Sequence, residues 1–154
     1  MMEFSWDAVG ALAEMLGAIA VLVTLVYLAT QIKQTNDISR FNTMREIMIS
    51  FDNLNKFIVT DSSLRAVLHK TSDLTNDEEE QLYTFVNMFC NTWVTCQAAH
   101  DNGLIIESFY MGAVRDVSFE LERWSNFRRC VNLWLDRYPE FKEYPIFIPL
   151  LQDV

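Results

Sequence analysis

The first 32 residues contain no lysine or arginine, although the 154-residue chain carries 12 of them. A cleaved secretory signal opens with a basic segment, and this chain opens with Glu3 and Asp7 instead. Proline is absent before Pro139, and Gly103 and Gly112 are the only glycines after Gly17. The usual helix breakers are therefore missing from most of the chain, and no proline-rich linker separates its parts. Cysteine is limited to Cys90, Cys96 and Cys130, an odd number without paired spacing. That excludes a disulfide framework and fits a reducing compartment for the region after residue 35. Positive charge is short overall, 12 basic against 21 acidic residues for a net charge of −9. A chain of that balance repels phosphate backbones, so general nucleic-acid binding is not expected, although a local basic patch stays open. Internal repeats and low-complexity tracts are also absent.

What is present is a long apolar run. From Met15 to Ile32 all 18 residues are uncharged, which as a helix is about 27 Å. From Ala8 to Ile32 the only charge is Glu14. A bilayer core of roughly 30 Å needs about 20 such residues. Trp6 and Tyr27 are placed to act as interfacial aromatic anchors. The alternatives are a buried core helix, which normally keeps a polar stripe, and a signal peptide, which lacks its basic start here. The expectation is a transmembrane helix in a 1–35 segment, followed by a 36–154 cytoplasmic domain. Lys33, Arg40 and Arg45 follow the run closely and no basic residue precedes it, so the positive-inside rule places the N-terminus outside.

The run also carries a pattern. Gly10, Gly17, Thr24 and Gln31 repeat every seven residues; Glu14, Val21 and Leu28 do so with an offset of four. The two sets form the alternating stripe of a left-handed helix contact. The remaining faces carry Leu12, Leu16, Ile19, Leu22, Val23, Leu25 and Val26, suited to lipid. In lipid, small residues associate helices by close packing and polar groups do so by finding partners. A single span has no second helix of its own, so the seam predicts homo-oligomerisation, and a ring of copies would line a narrow pore with it. Glu14 lies eight residues beyond Trp6, about 12 Å deeper along a helix. It is either a functional intramembrane carboxylate or an acid marking the membrane edge.

The run "GALAEMLGAIAVLVTLVYLATQIKQTN" resembles the opening of a broad group of small bacterial single-span membrane proteins. They share a Glu-x-Leu-Gly-Ala start and a Thr-Leu-x-Tyr-Leu-Ala-x-Gln-Ile exit, matched here by Glu14, Leu16, Gly17, Ala18, Thr24, Leu25, Tyr27, Leu28, Ala29, Gln31 and Ile32. The resemblance covers about 25 residues closely, with a looser similarity at "NGLIIESFY". It implies a bacterial inner-membrane anchor on a helical cytoplasmic domain, and no reaction.

Beyond the span, Ile38, Phe41, Met44, Met48, Phe51, Leu54 and Ile58 recur at threes and fours and predict an amphipathic helix over 36–59, nearly continuous with the run before it. A short helix over 62–70 follows. Thr75 and Glu78 have capping-box spacing and predict a helix to about Asn102, stopped by Gly103, with Leu82, Phe85, Phe89, Trp93, Cys96 and His100 on its buried stripe. Two further helices are expected over 107–122 and 124–138. Pro139, Pro145 and Pro149 then predict an extended apolar tail. The fold class is all-α, one transmembrane helix followed by a helical bundle.

Catalytic and metal signals are weak. Cys96 and His100 share a helix face with zinc-compatible spacing, but no second ligand pair accompanies them, so neither metal nor cofactor is expected. Arg65 and His69 faintly resemble the Arg-x(4–6)-His signature of HEPN ribonucleases; the spacing is one residue short and Ala66 replaces the usual polar residue. Arg123, Arg128, Arg129 and Arg137 form either a solvated face or a site for a small anionic ligand or a cytoplasmic protein partner. No Ser-His-Asp order, phosphate loop or paired-carboxylate motif is present. The leading expectation is a homo-oligomeric, pore-forming or membrane-perturbing effector, by analogy with small bacterial antiphage defence proteins of similar architecture. The competing readings are a membrane-tethered adaptor without conduction and an anchored ribonuclease.

Overall fold

The computed structural model describes residues 6–151, and all regular elements among them are helical. Glu3 and the last three residues of the apolar tail lie outside the described residues. The order is α1 (Trp6–Thr60), α2 (Ser62–His69), α3 (Asn76–Asp101), α4 (Glu107–Arg123), α5 (Ser125–Arg137), two 3-10 turns (Pro139–Phe141 and Pro145–Phe147) and α6 (Ile148–Leu151). Contacts divide the chain into two compact units, one through Ser39 and one from Arg40 onward.

The first unit is the apolar part of α1. It is the one helix among the described residues long and apolar enough to cross a membrane, and none of its apolar window is buried by the rest of the chain. That sets it apart from a core helix, whose apolar face is covered by its own protein.

The second unit is a bundle built on α3, which packs against α2, α4, α5 and the second 3-10 turn. The start of α3 is closed by a reciprocal capping box. Thr75 Oγ1 accepts from the Glu78 N–H at 3.4 Å, and Glu78 Oε2 accepts from the Thr75 N–H at 2.7 Å. Lys70 Nζ also donates to that carboxylate at 2.6 Å, and these bonds hold the Glu78 carboxyl below its ordinary range. The Asp61 side chain caps α2, accepting from the N–H groups of Ser63 and Leu64. At the far end of α3, Gly103 adopts φ +67°. Its N–H donates to the His100 carbonyl, and the Leu104 N–H donates to that of Ala99, each at 2.8 Å. This paired closure needs a left-handed residue after the helix, where only glycine is unstrained.

The buried stripe of α3 contains Leu82, Phe85, Phe89, Trp93 and Cys96 as the spacing predicts, and it is wider. Val86, Cys90, Gln97 and Ala99 are buried too, because neighbours cover α3 on several sides. Phe89, Trp93 and Phe127 meet edge-on or tilted at centroid distances of 5.4–6.0 Å, the arrangement favoured by aromatic quadrupoles. His100 is only partly covered, stacked 4.0 Å from Tyr110.

Two expectations are corrected. The segment after Pro139 is not extended. Pro139 and Pro145 each begin a 3-10 turn, where a missing N–H costs nothing, and Ile146, Phe147 and Leu150 are buried in the core. On the later part of α1 the core-facing stripe is shifted. Ile47 is 3% exposed, whereas Phe41 and Met48 are 62% and 55% exposed, and Ile38 is exposed as well. Met44, Phe51, Leu54 and Ile58 do face the core.

Candidate functional site

The seam residues Gly10, Glu14, Gly17, Val21, Thr24, Leu28 and Gln31 all lie on α1 and all are exposed. One chain cannot bring them together, since they are strung along one helix. On a straight helix the stripe drifts by about 20° per seven residues, the mismatch that left-handed supercoiling absorbs. A Cβ added at Gly10 or Gly17 would meet nothing within 4 Å, so the chain's own packing requires neither glycine. Thr24 Oγ1 donates to the Ala20 carbonyl at 2.8 Å. Its proton is thus committed within the helix, and only its lone pairs remain for a neighbour.

Arg65 and His69 sit on α2 and are exposed. Arg65 Nη1 donates to the Val59 carbonyl at 3.3 Å, and the His69 ring meets Trp124 edge-on at 6.1 Å. Those contacts anchor a helix end. Cys90, Cys96 and Cys130 are buried free thiols. Burial pushes Cys96 up to about 11 and raises Cys90 and Cys130 as well, so all three are held in the inert thiol form. His100 Nε2 lies 2.8 Å from the Glu107 carboxylate, and no cluster of metal-ligating side chains forms among the described residues. Three of the four arginines have separate partners. Arg129 pairs with Glu79 at 2.7 Å, Arg123 lies over the rings of Trp124 and Phe119, and Arg137 lies over Tyr138.

Two features carry no local sequence signal. Gln97, 2% exposed, accepts from the Tyr110 hydroxyl at 2.5 Å and from the Ile146 N–H at 3.1 Å, and donates to Asp101 at 2.8 Å. One amide thereby ties α4 and the C-terminal turn to α3. Two of its three partners stand 13 and 49 residues away, beyond any periodicity.

The second is a groove of about 400 Å³ between α1 and α4 in the second unit. Met48, Phe51 and Phe109 supply apolar walls, Gly112 supplies an open floor, and Asp52 and Asp116 supply charge. A Cβ at Gly112 would meet nothing within 4 Å. Burial raises the Asp116 carboxyl above its ordinary value. One turn further, Glu120 is 5% exposed, and its Oε2 has no hydrogen-bond partner. Burial, with the neighbouring Asp116 charge, pushes Glu120 up to about 7 against the opposing pull of Arg123. No family model, curated protein or solved structure matches the chain.

Proposed function

We propose that this chain is a single-span protein of the bacterial inner membrane, N-terminus outside, that assembles with copies of itself through the α1 seam. Its cytoplasmic bundle controls what the assembled spans do to the membrane. The observation that carries this reading is the apolar part of α1. It is wholly uncovered by its own protein, and one stripe of it collects both glycines, Glu14, Thr24 and Gln31 beside Val21 and Leu28. Uncovered apolar helix surface needs another apolar phase, and lipid supplies it. Within lipid, the positions that gain from a protein neighbour are the small and polar ones. The basic residues Lys33, Arg40 and Arg45 set the orientation. A ring of copies would place Glu14 and Gln31 along a narrow polar path, which supports a pore-forming or membrane-perturbing effector; a defence role rests on analogy of architecture alone.

The test is a cysteine scan of residues 14 to 31 in lipid nanodiscs. Crosslinking should peak at 14, 17, 21, 24, 28 and 31. Uniform crosslinking, or none, would overturn assembly through this seam. Dye release from liposomes then separates a conducting assembly from a tethered adaptor, which would crosslink at the same positions without release.

A further inference from the structure

On α4, Ser108, Gly112, Asp116 and Glu120 recur every four residues and form one ridge. The ridge winds from exposed Ser108 to buried Glu120. Facing it from α1 are Met48, Phe51, Asp52 and Asn55. Both titratable side chains that line the groove are carboxylates, Asp52 and Asp116. Neither has an ion-pair partner among the described residues. A partly buried carboxylate without a partner is costly, and a still more buried one, Glu120, lies a turn beyond it with an unpartnered oxygen.

Gly112 belongs to the same groove. Mid-helix glycine is less favourable than alanine by about 1 kcal/mol. Nothing in the chain's own packing asks for it, since a side chain there would point into open space. What Gly112 preserves is the volume of the groove. That volume, about 400 Å³, falls in the range of small-molecule sites. Aromatic walls beside carboxylates are the chemistry that recognises an ammonium group, through ring faces and charge-assisted hydrogen bonds together.

We propose that this groove binds a small organic cation, with its ammonium group held by Asp116 and Asp52 and its apolar body lying against Met48, Phe51 and Phe109 over Gly112. Asn55 and Ser108 offer further acceptors at the polar edge. The site lies wholly within the second unit, so it stands or falls independently of assembly through α1.

The test uses the full chain in nanodiscs, labelled with 13C at the methionine methyls, and three probes of one shape: 2-phenylethylammonium, neutral 2-phenylethanol and anionic 3-phenylpropionate. Met48 reports the groove, and Met15, in the apolar run, reports partition into lipid. The ammonium probe should shift Met48 saturably, and the acid should not. The alcohol should bind at least about ten-fold more weakly, as expected when a charged hydrogen bond is lost. Asp116→Asn should weaken the ammonium probe by a similar factor. Asp52→Asn, at an exposed position that cannot disturb the core, should weaken it by less. Gly112→Leu should abolish the saturable shift while the melting temperature holds or rises. Equal binding of ammonium and alcohol, indifference to both Asp→Asn variants, or a shift surviving Gly112→Leu would each overturn the proposal. A change in oligomer size on Gly112→Leu would overturn it too, because the groove would then be covered by a second copy.

Discussion

The two units of this chain spend the same apolar side chains in opposite ways. In the first, Leu16, Leu22, Val23 and Val26 are each more than 60% exposed on a single uncovered helix. In the second, Trp93, Trp124, Trp134, Phe89, Phe127 and Phe147 are almost fully buried. Burial of that kind stabilises a fold by roughly 25 cal/mol per Å² removed from water. The first unit obtains none of it from its own protein. Its apolar surface is therefore a statement about its surroundings, whereas that of the bundle is a statement about its stability. Mutations should sort accordingly: shortening an apolar side chain should unfold the second unit and leave the first as it was.

The largest expected effect is in the bundle. Trp93 is fully buried, meeting Phe89, Phe127 and Phe147 at centroid distances of 5.6–6.1 Å. Trp93→Ala should cost about 3–5 kcal/mol. Against a total near 5–15 kcal/mol, that is a large share. Thermal unfolding followed by near-UV circular dichroism should show a Tm lowered by several degrees or a lost transition. An unchanged Tm would show that the aromatic cluster does not hold the bundle, and the contrast between the units would collapse.

A smaller effect, within the second unit, depends on pH. The Glu120 carboxyl is pushed from 4.5 up to about 7 in the folded protein. Between those values the folded chain holds a proton that the unfolded chain has released. The contribution from this group is therefore full below about pH 4.5, declines as pH rises toward 7, and is flat beyond. Asp116, raised by burial, works in the same direction. Asp61 and Glu78 have lowered values and act in the opposite sense, with stability lost as pH falls through the acid range. Glu120→Gln should flatten the decline in Tm between about pH 5 and 7 and raise Tm at pH 8. A variant with the same slope as the parent would show that this carboxyl ionises freely in the fold.

Much of the bundle is readable from sequence because its signals are local. Thr75 and Glu78 stand three residues apart, Gly103 directly follows the C-cap of α3, and Leu82, Phe85, Phe89 and Trp93 keep helical spacing. The errors arise where local pattern is ambiguous or irrelevant. Residues 38 to 58 carry apolar side chains on more than one face, and only packing chooses Ile47 over Met48. Three prolines suggest an extended tail, yet two of them occupy the first position of a 3-10 turn, where proline is well suited. Gln97 joins residues far apart in the chain, and the groove beside Gly112 depends on two helices meeting. The seam on α1 is legible as a pattern because seven-residue spacing is local, but among the described residues the chain's own fold gives it no partner.

The smallest expected effect on the fold, and the sharpest on the comparison, comes from a pair of substitutions in the first unit. Gly17 belongs to the small and polar stripe, and Leu22 belongs to the bulky aliphatic faces. A side chain added at Gly17 would meet nothing in its own chain, and leucine is a better helix former than glycine. Gly17→Leu therefore has no intramolecular reason to harm the protein. Leu22→Ala removes a side chain that is 62% exposed, so it too leaves the chain's own contacts intact. Both variants should keep the bundle Tm to within an equivalent of about 0.5 kcal/mol. They should part in association, measured by energy transfer between labelled copies as the lipid-to-protein ratio is varied. Gly17→Leu should weaken it by about 1–2 kcal/mol, because close approach at the seam is blocked. Leu22→Ala should leave it unchanged, because a lipid-facing leucine contributes nothing that a lipid tail does not replace. Equal weakening by both would mean that the helices meet without a preferred face. Weakening by Leu22→Ala alone would move the contact to the aliphatic side and leave Glu14 facing lipid at the membrane edge.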